Sequence, residues 1–195
     1  YHPEHEQSFA PAICNRLDRN TEGLVLAAKD AATLRELNRL IRENRIQKTY
    51  LCVLTATPPK QTDILHAYHW KDAKTNTVTI SDRPKVGYRE IITEYRVLQQ
   101  QNELCLAEIT LHTGRTHQIR AHMTHIGAPL AGDSKYGNRR KNESLHLKHQ
   151  LLCAYQLQFH PEADSCLAYL NGKTVTAPLP DFVSRFFPDF SNRAL

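Results

Sequence analysis

The sequence predicts an α+β fold: a mixed, mainly antiparallel β-sheet with flanking helices. Three observations lead there. Short runs rich in β-branched and aromatic residues outnumber the stretches of helical periodicity, and most are joined by turns too short for a crossover helix. One run, 103–111, is apolar on nearly both faces: Leu104, Leu106, Glu108 and Thr110 alternate with Cys105, Ala107, Ile109 and Leu111. That pattern belongs to a strand in the middle of a sheet.

The elements follow in order. Residues 24–28 are a short apolar run, expected as a buried strand. Asp30 is placed to cap a helix over 31–44, with Leu34, Leu37, Leu40 and Ile41 on one stripe and Arg35, Glu36, Arg39 and Glu43 outside it. Residues 49–54 read as a strand ended by Pro58-Pro59. Further strands are expected at 64–70, 77–81 and 90–98, ahead of 103–111. From Thr113-Gly114 the pattern turns helical as far as Ile126, where Gly127 and Pro129 stop it. Residues 131–149 are polar and irregular. Strand character returns at 151–159 and 166–170. Asn171-Gly172 has the composition of a tight type I′ turn leading into 173–175, and 180–187 suits a short terminal helix.

The chain has 195 residues, the length of one domain, with 41% hydrophobic and 23% charged residues, an ordinary globular balance. No apolar run is long enough to cross a bilayer and no leader segment is recognisable, so no membrane partner is expected. Five scattered cysteines without a Cys-x-x-Cys pair point to a reduced, cytoplasmic protein rather than a disulfide framework. A net charge of +5 leans towards a polyanionic partner. Residues 1–12 are polar and unpatterned yet run straight into a dense motif, so upstream structure is expected to be missing from this chain.

Chemistry concentrates in two segments. In the first, Asn15-Arg16-Leu17-Asp18-Arg19-Asn20-Thr21-Glu22-Gly23, an aspartate flanked by two arginines feeds an apolar run. Neighbouring cations favour a carboxylate's ionised form and keep it available as nucleophile or base. From the residues alone, tying a turn through its own backbone is the commoner role for such an aspartate. The second runs from Thr113 to Gly127. On a helical wheel Arg115, Gln118, Ile119, His122 and Ile126 share a face, while His117, Arg120 and Thr124 lie opposite and face RNA or solvent. Arg115 at a helix start opposes the macrodipole, which implies an anion for it to meet. The histidines 112, 117, 122 and 125 are spaced five, five and three apart with no acidic residue among them, so no metal is expected there.

Taken together, these segments resemble the RluA family of pseudouridine synthases. Arg16-Leu17-Asp18 with Thr21 and Gly23 is similar to the family's Arg-Leu-Asp-x-x-Thr-x-Gly block, and Lys48-Thr49-Tyr50 to its Lys-x-Tyr block. Gly114 to Arg120 matches the third block residue for residue, continued by Gly127, Pro129, Gly132-Asp133 and Tyr136-Gly137; Gln150-Leu151-Leu152 to Phe159 resembles the closing strand. Asn15 and Glu22 depart from it, standing where many members have His and Ser.

The resemblance implies the pseudouridine synthase catalytic fold and isomerisation of uridine in RNA, without a cofactor. Asp18 corresponds to the catalytic aspartate, Tyr50 to the tyrosine that packs on the target base and assists late proton removal, and Arg115 to the basic residue paired with the aspartate. Arg16 corresponds to the arginine that fills the gap left by the flipped nucleotide. Lys48 is a solvated or phosphate-facing charge, and His117, Gln118 and Arg120 are counted as RNA-contacting or structural. It also implies that residues 1–195 are a catalytic domain lacking the family's opening strand block and the S4 domain that often precedes it. Ribosomal RNA of the large subunit is the expected partner, transfer RNA the alternative, and the expected state is a monomer. Two other readings were weighed. An RNA-binding module without catalysis, acting in ribosome assembly, predicts loss of Asp18 or Arg115, and both are present. A metal-dependent hydrolase lacks carboxylates near the histidines.

Overall fold

The computed structural model describes residues 9–191. In chain order its elements are β1 (Ala12–Ile13), β2 (Glu22–Gly23), β3 (Ala27–Ala28), α1 (Ala31–Arg42), β4 (Ile46–Leu54), β5 (Thr62–Asp72), β6 (Thr77–Ser81), β7 (Arg89–Gln101), β8 (Leu104–Leu111), α2 (Gln118–His125), α3 (Arg139–Ser144), β9 (Leu152–Phe159), β10 (Thr174–Thr176) and α4 (Asp181–Phe186). Strands β10-β9-β4-β8-β7-β5-β6 form one sheet in that order, all neighbours antiparallel. Only β2 adds in parallel, against β9, which makes the sheet mixed. The α+β architecture expected from the sequence is the one observed.

The sequence pattern explains the layers. On one face of the sheet Cys52, Leu54, Tyr95 and Ile109 pack against Ile119 and Met123 of α2. On the other, Leu51, Val53, Leu106 and Tyr155 pack against Phe182, Val183 and Phe187 around α4. The strands β4 and β8 are covered on both sides, which is why 103–111 carries apolar residues on both faces. Helix α1 is capped as predicted: the Thr33 amide donates to Asp30 Oδ1 at 2.7 Å. Its Leu37 and Leu40 pack against Ile46, Leu157 and Phe159.

Several local expectations fail for identifiable reasons. The run 24–28 is not one buried strand. Gly23 at φ +108° ends β2, Val25 is exposed, and only β3 pairs again, antiparallel to β1. Residues 166–170 form a single tight helical turn, Ala168–Leu170, started where the Leu167 amide donates to Ser165 Oγ at 3.1 Å. The turn at Asn171-Gly172 is type II: Asn171 sits at φ −58°, ψ 129° and Gly172 at φ +72°, closed by the Lys173 amide on the Leu170 carbonyl at 2.8 Å. A type I′ turn requires positive φ at both central residues and serves adjacent paired strands. Here β10 pairs with β9, not with the segment before the turn. Helix α3, inside the stretch read as irregular, is six polar residues without an apolar stripe, capped by Asn138.

Gly23 fixes a critical distance. A Cβ added there would lie inside contact distance of the Ala154 backbone, and its φ of +108° is one that L side chains rarely adopt. Both effects oppose any larger residue. Gly23→Ala is therefore expected to destabilise the fold by roughly 2–4 kcal/mol. Urea unfolding checks this, and an unchanged midpoint would mean that the parallel pairing of β2 with β9 is dispensable.

Candidate active site

Three chain segments converge on one cavity of about 410 Å³. Strand β4 supplies Lys48 and Tyr50, two residues apart and so on the same face. The register of β4 against β9 slips at this point: Thr49 pairs with Gln156 and Tyr50 with Ala154, leaving Tyr155 over as a bulge. Bulges of this kind re-aim a side chain within an otherwise regular ladder. Ala154 also pairs with Gly23, so the end of the Asp18 loop lies two lateral strand steps from Tyr50.

The loop between β1 and β2 is held by side chains rather than by strand pairing. The Leu26 amide donates to Asn15 Oδ1 at 2.7 Å, so the residue that departs from the family pattern fastens the base of the loop. Gln150 Nε2 donates to the Arg19 carbonyl at 2.6 Å and to Thr21 Oγ1 at 3.2 Å. The Asp18 carbonyl closes the turn by accepting the Thr21 amide at 3.0 Å. Its carboxylate is left for another purpose: Oδ2 receives Arg120 Nη1 at 3.4 Å.

Arg120 carries the geometry. Its Nε and Nη2 donate to Asp133 at 2.7 and 2.9 Å, and its side chain is only 7% exposed. Asp133 accepts further bonds from the Lys135 and Tyr136 amides at 2.8 and 3.0 Å. Burial alone pushes its carboxyl up, but the guanidinium and these amides outweigh that and hold it below the ordinary value of 3.8. The two carboxylates on Arg120 are thus unequal. Asp133 is saturated and 1% exposed, whereas Asp18 has one long bond and is 25% exposed to the cavity. Of the two, only Asp18 lines the cavity with acceptor capacity unused among the described residues.

Tyr50 lies in the same cavity lining as Asp18. Burial, and then the Asp18 charge, push its phenol up to about 12, so it enters any reaction protonated. Lys48 is half-buried, and burial alone pulls its ammonium down. Among the described residues it meets no acceptor, which leaves that role to a ligand. Arg16, Arg19, Lys71 and Arg115 add cations to the lining, and among the described residues Asp18 is its single carboxylate. The rim therefore suits a polyanion.

Several sequence expectations change here. The cation that meets Asp18 is Arg120, not Arg115. Helix α2 starts at Gln118, after His117 at φ +52°, so Arg115 lies in the preceding turn, exposed on the rim, and has no helix dipole to oppose. Arg120, expected to face RNA or solvent, is instead turned into the fold. Gln118 is also buried and its hydrogen bonds are all made within the protein. Oε1 accepts from Thr113 Oγ1 and the Arg115 amide, and Nε2 donates to the Ile92 carbonyl and Thr93 Oγ1. It ties the turn before α2 to strand β7, leaving no capacity for RNA. His117 lines the cavity but is tied through Nδ1 to the Tyr136 hydroxyl at 2.8 Å. That hydroxyl also accepts the Val78 amide at 2.9 Å, so the imidazole ring is held by a group that is itself fixed to β6. The histidines of 112–125 go to separate places, and no group of three metal-binding side chains forms among the described residues.

Asp133 and Tyr136 are the partners that sequence reasoning did not assign. Both stood in the quoted motif, but nothing in linear order shows that Asp133 closes on Arg120.

Comparison with known proteins gives the family and the fold. Residues 1–125 match the family described as RNA pseudouridylate synthase. The chain belongs to that family, and to its RluA type. An uncharacterised RNA pseudouridine synthase of Chloroflexus aurantiacus is 35% identical over 175 residues, covering 87% of this chain and 50% of the relative. The "Ribosomal large subunit pseudouridine synthase D" of Borreliella burgdorferi is 32% identical, covering 86% of this chain and 50% of that protein. The corresponding synthase C of Vibrio cholerae is 31% identical, covering 80% and 49%. The chain thus spans about half the length of the curated relatives it matches. The solved structure titled "Human RNA Pseudouridylate Synthase Domain Containing 1" shares the fold, with a TM-score of 0.74 at 23% identity over 90% of this chain and 71% of that one.

Two predictions test the site's construction. Arg120→Met leaves Asp133 buried without a cation and is expected to cost about 3–5 kcal/mol of stability. Adding Asp133→Asn should return much of that loss; a double variant no more stable than the single one would show that the pair is not the coupling unit. His122 is buried against Thr93 Oγ1, and burial depresses its imidazole to about 4 from 6.5. Its contribution is fully present above pH 6.5 and is lost as pH falls through 4, because only the unfolded chain takes up the proton. Denaturation midpoints should fall across that window, and His122→Gln should flatten the decline.

Proposed function

We propose that the protein isomerises uridine to pseudouridine in RNA, with Asp18 as the nucleophile. The observation that carries this reading is the inequality of the two carboxylates on Arg120, which leaves Asp18 open in a cation-rimmed cavity. Family membership supplies the reaction: the C1′–N1 bond breaks, the uracil turns, C5 bonds to C1′, the C5 proton is lost and N1 takes up a proton, so the product is an isomer of the substrate. A cavity of this size, within the ~300–1,000 Å³ usual for small-ligand sites, takes one nucleotide rather than a helix. The target must therefore be flipped out of its stack, which costs a few kcal/mol that contacts to flanking RNA offset.

The residues divide the work. Asp18 attacks either the ribose carbon or the uracil ring, and Arg120 positions it while stabilising its charge. Tyr50 is a neutral phenol at physiological pH. It packs on the base, and it takes the C5 proton only as its own phenolic proton passes to the Asp18 carboxylate released from the substrate. Lys48 and Arg115 meet the anionic backbone from the rim, and Arg16 fills the gap in the RNA. No metal or cofactor enters this scheme.

The substrate we infer is large-subunit ribosomal RNA, which the Vibrio cholerae and Borreliella burgdorferi relatives carry in their names, and a cytoplasmic protein is the reading that goes with it. Transfer RNA is the alternative the same chemistry permits. Tritium release from RNA labelled at uracil C5 tests the proposal on the full-length protein, with ribosomal and transfer RNA from cells lacking the gene. Wild type should release label and Asp18→Ala should not, while still binding RNA. Tyr50→Phe should slow the single-turnover rate more than it weakens binding. Substantial turnover by Asp18→Ala would remove the nucleophile assignment. A well-folded wild type that binds but releases nothing would favour a binding-only role.

A further inference from the structure

The β5–β6 hairpin and the loop after it carry features that the cavity does not use. Between residues 70 and 89 the chain holds five cations: Lys71, Lys74, Arg83, Lys85 and Arg89. None of them meets a carboxylate within 4.0 Å among the described residues. The segment's two aspartates are already engaged. Asp72 accepts the Lys74 amide at 2.8 Å to shape the turn, and Asp82 pairs with His125 Nε2 at 2.7 Å. The segment therefore carries five cations to two carboxylates, an excess of positive charge in which none of the five is ion-paired among the described residues.

On this strip stands the chain's single tryptophan, Trp70, 40% exposed. Its ring runs nearly parallel to Tyr88, with centroids 6.3 Å apart and planes at 22°. Lys85 Nζ lies 5.6 Å from the Tyr88 centroid, and Gly87 at φ +81° brings the loop against the indole edge. Val86, beside them, is fully exposed. A large flat apolar surface among unpaired cations is what single-stranded nucleic acid binds, bases stacking on the rings while the backbone follows the charge.

The hairpin is also fixed relative to the cavity. His69 Nε2 bonds the Thr116 carbonyl at 2.9 Å, the Val78 amide donates to the Tyr136 hydroxyl at 2.9 Å, and Lys135 Nζ donates to the Asn76 carbonyl at 2.6 Å. Lys71 and Asn76 line the cavity. Trp70 follows the strand alternation and points to the opposite face from Lys71. A nucleotide on Trp70 is thus a different one from the nucleotide in the cavity.

We propose that Trp70 and Tyr88, flanked by Lys85, form a stacking platform for an unpaired nucleotide of the RNA beside the target uridine. The proposal rests on the RNA reading given above. Because Trp70 is the only tryptophan, its emission reports directly on the platform. Full-length protein is titrated with a uridine-rich single-stranded RNA and with a fully paired RNA of the same length, and binding is followed independently by anisotropy of fluorescein-labelled RNA. Stacking predicts that the single strand quenches Trp70 emission in parallel with the rise in anisotropy, and that the duplex does not. Trp70→Ala should weaken single-strand binding roughly 5- to 100-fold, the usual range for one stacked base. Trp70→Phe should keep most of the affinity. Saturating anisotropy with unchanged emission, or equal quenching by the duplex, would overturn the platform while leaving the RNA reading intact. A flat anisotropy with both RNAs would overturn both.

Discussion

The site depends on a single buried guanidinium. Arg120 leaves α2 where that helix is covered on all sides, so its charge must be answered within the protein. Two carboxylates answer it, one from the loop after β3's partner strand β1 and one from the segment following α2. Those two pieces of chain share no strand pairing, and the planar fork of an arginine is what holds them in one geometry. The arrangement carries one positive and two negative charges. The remaining negative charge falls on the more weakly bound partner, Asp18, because Asp133 is neutralised by two short bonds and two backbone amides. A lysine in place of Arg120 would offer one point charge and could not divide itself in this way.

The sheet supplies the other fixed length. Neighbouring strands stand about 4.8 Å apart, so pairing works as a ruler across the sheet. Gly23, Ala154 and Tyr50 lie on one line of it, from β2 through β9 to β4. The bulge at Tyr155 resets the register between β9 and β4 where Tyr50 projects, while β4 keeps an unbroken ladder with β8 on its other side. Tyr50 and the end of the Asp18 loop are therefore placed by backbone hydrogen bonds, and Asp18 itself by a side chain. The first kind of placement resists mutation of side chains; the second does not.

Much of this was legible in the sequence. Alternation and β-branching gave the strands, the Asp30 cap gave α1, and the collinear motifs brought Asp18, Tyr50 and Arg115 to one cavity. What failed was the helical wheel through 114–126. It assumed unbroken rotation from Gly114, but His117 in the left-handed region interrupts the rotation before α2 begins. Arg115 lies before that break and off the helix, while Arg120 does stand opposite Ile119 and His122 but, with Gln118–Met123 all buried, that face also turns into the protein. Gln118 was misjudged for a related reason: an amide in a polar motif reads as a binding group, and only the fold shows both its ends satisfied. Asp133 was invisible as a partner because its meeting with Arg120 depends on how 126–133 turns back. The short pieces between 166 and 176 were misread because their composition favours β structure while their pairing partner, β9, lies earlier in the chain.

Lys48 connects the electrostatics of the empty cavity to those of the occupied one. Its ammonium is displaced from water without a protein acceptor, so the free enzyme holds it in an unfavourable state. An arriving phosphate relieves that state, and the interaction is stronger there than at a solvated lysine because the surroundings are less polar. The same phosphate brings negative charge near Asp18, which a less cationic rim would oppose. Arg16, Arg19, Lys71 and Arg115 offset that repulsion. On the proposed reading, a polyanion is held close to an anionic nucleophile, and the excess of cations around Asp18 is what offsets the repulsion between the two.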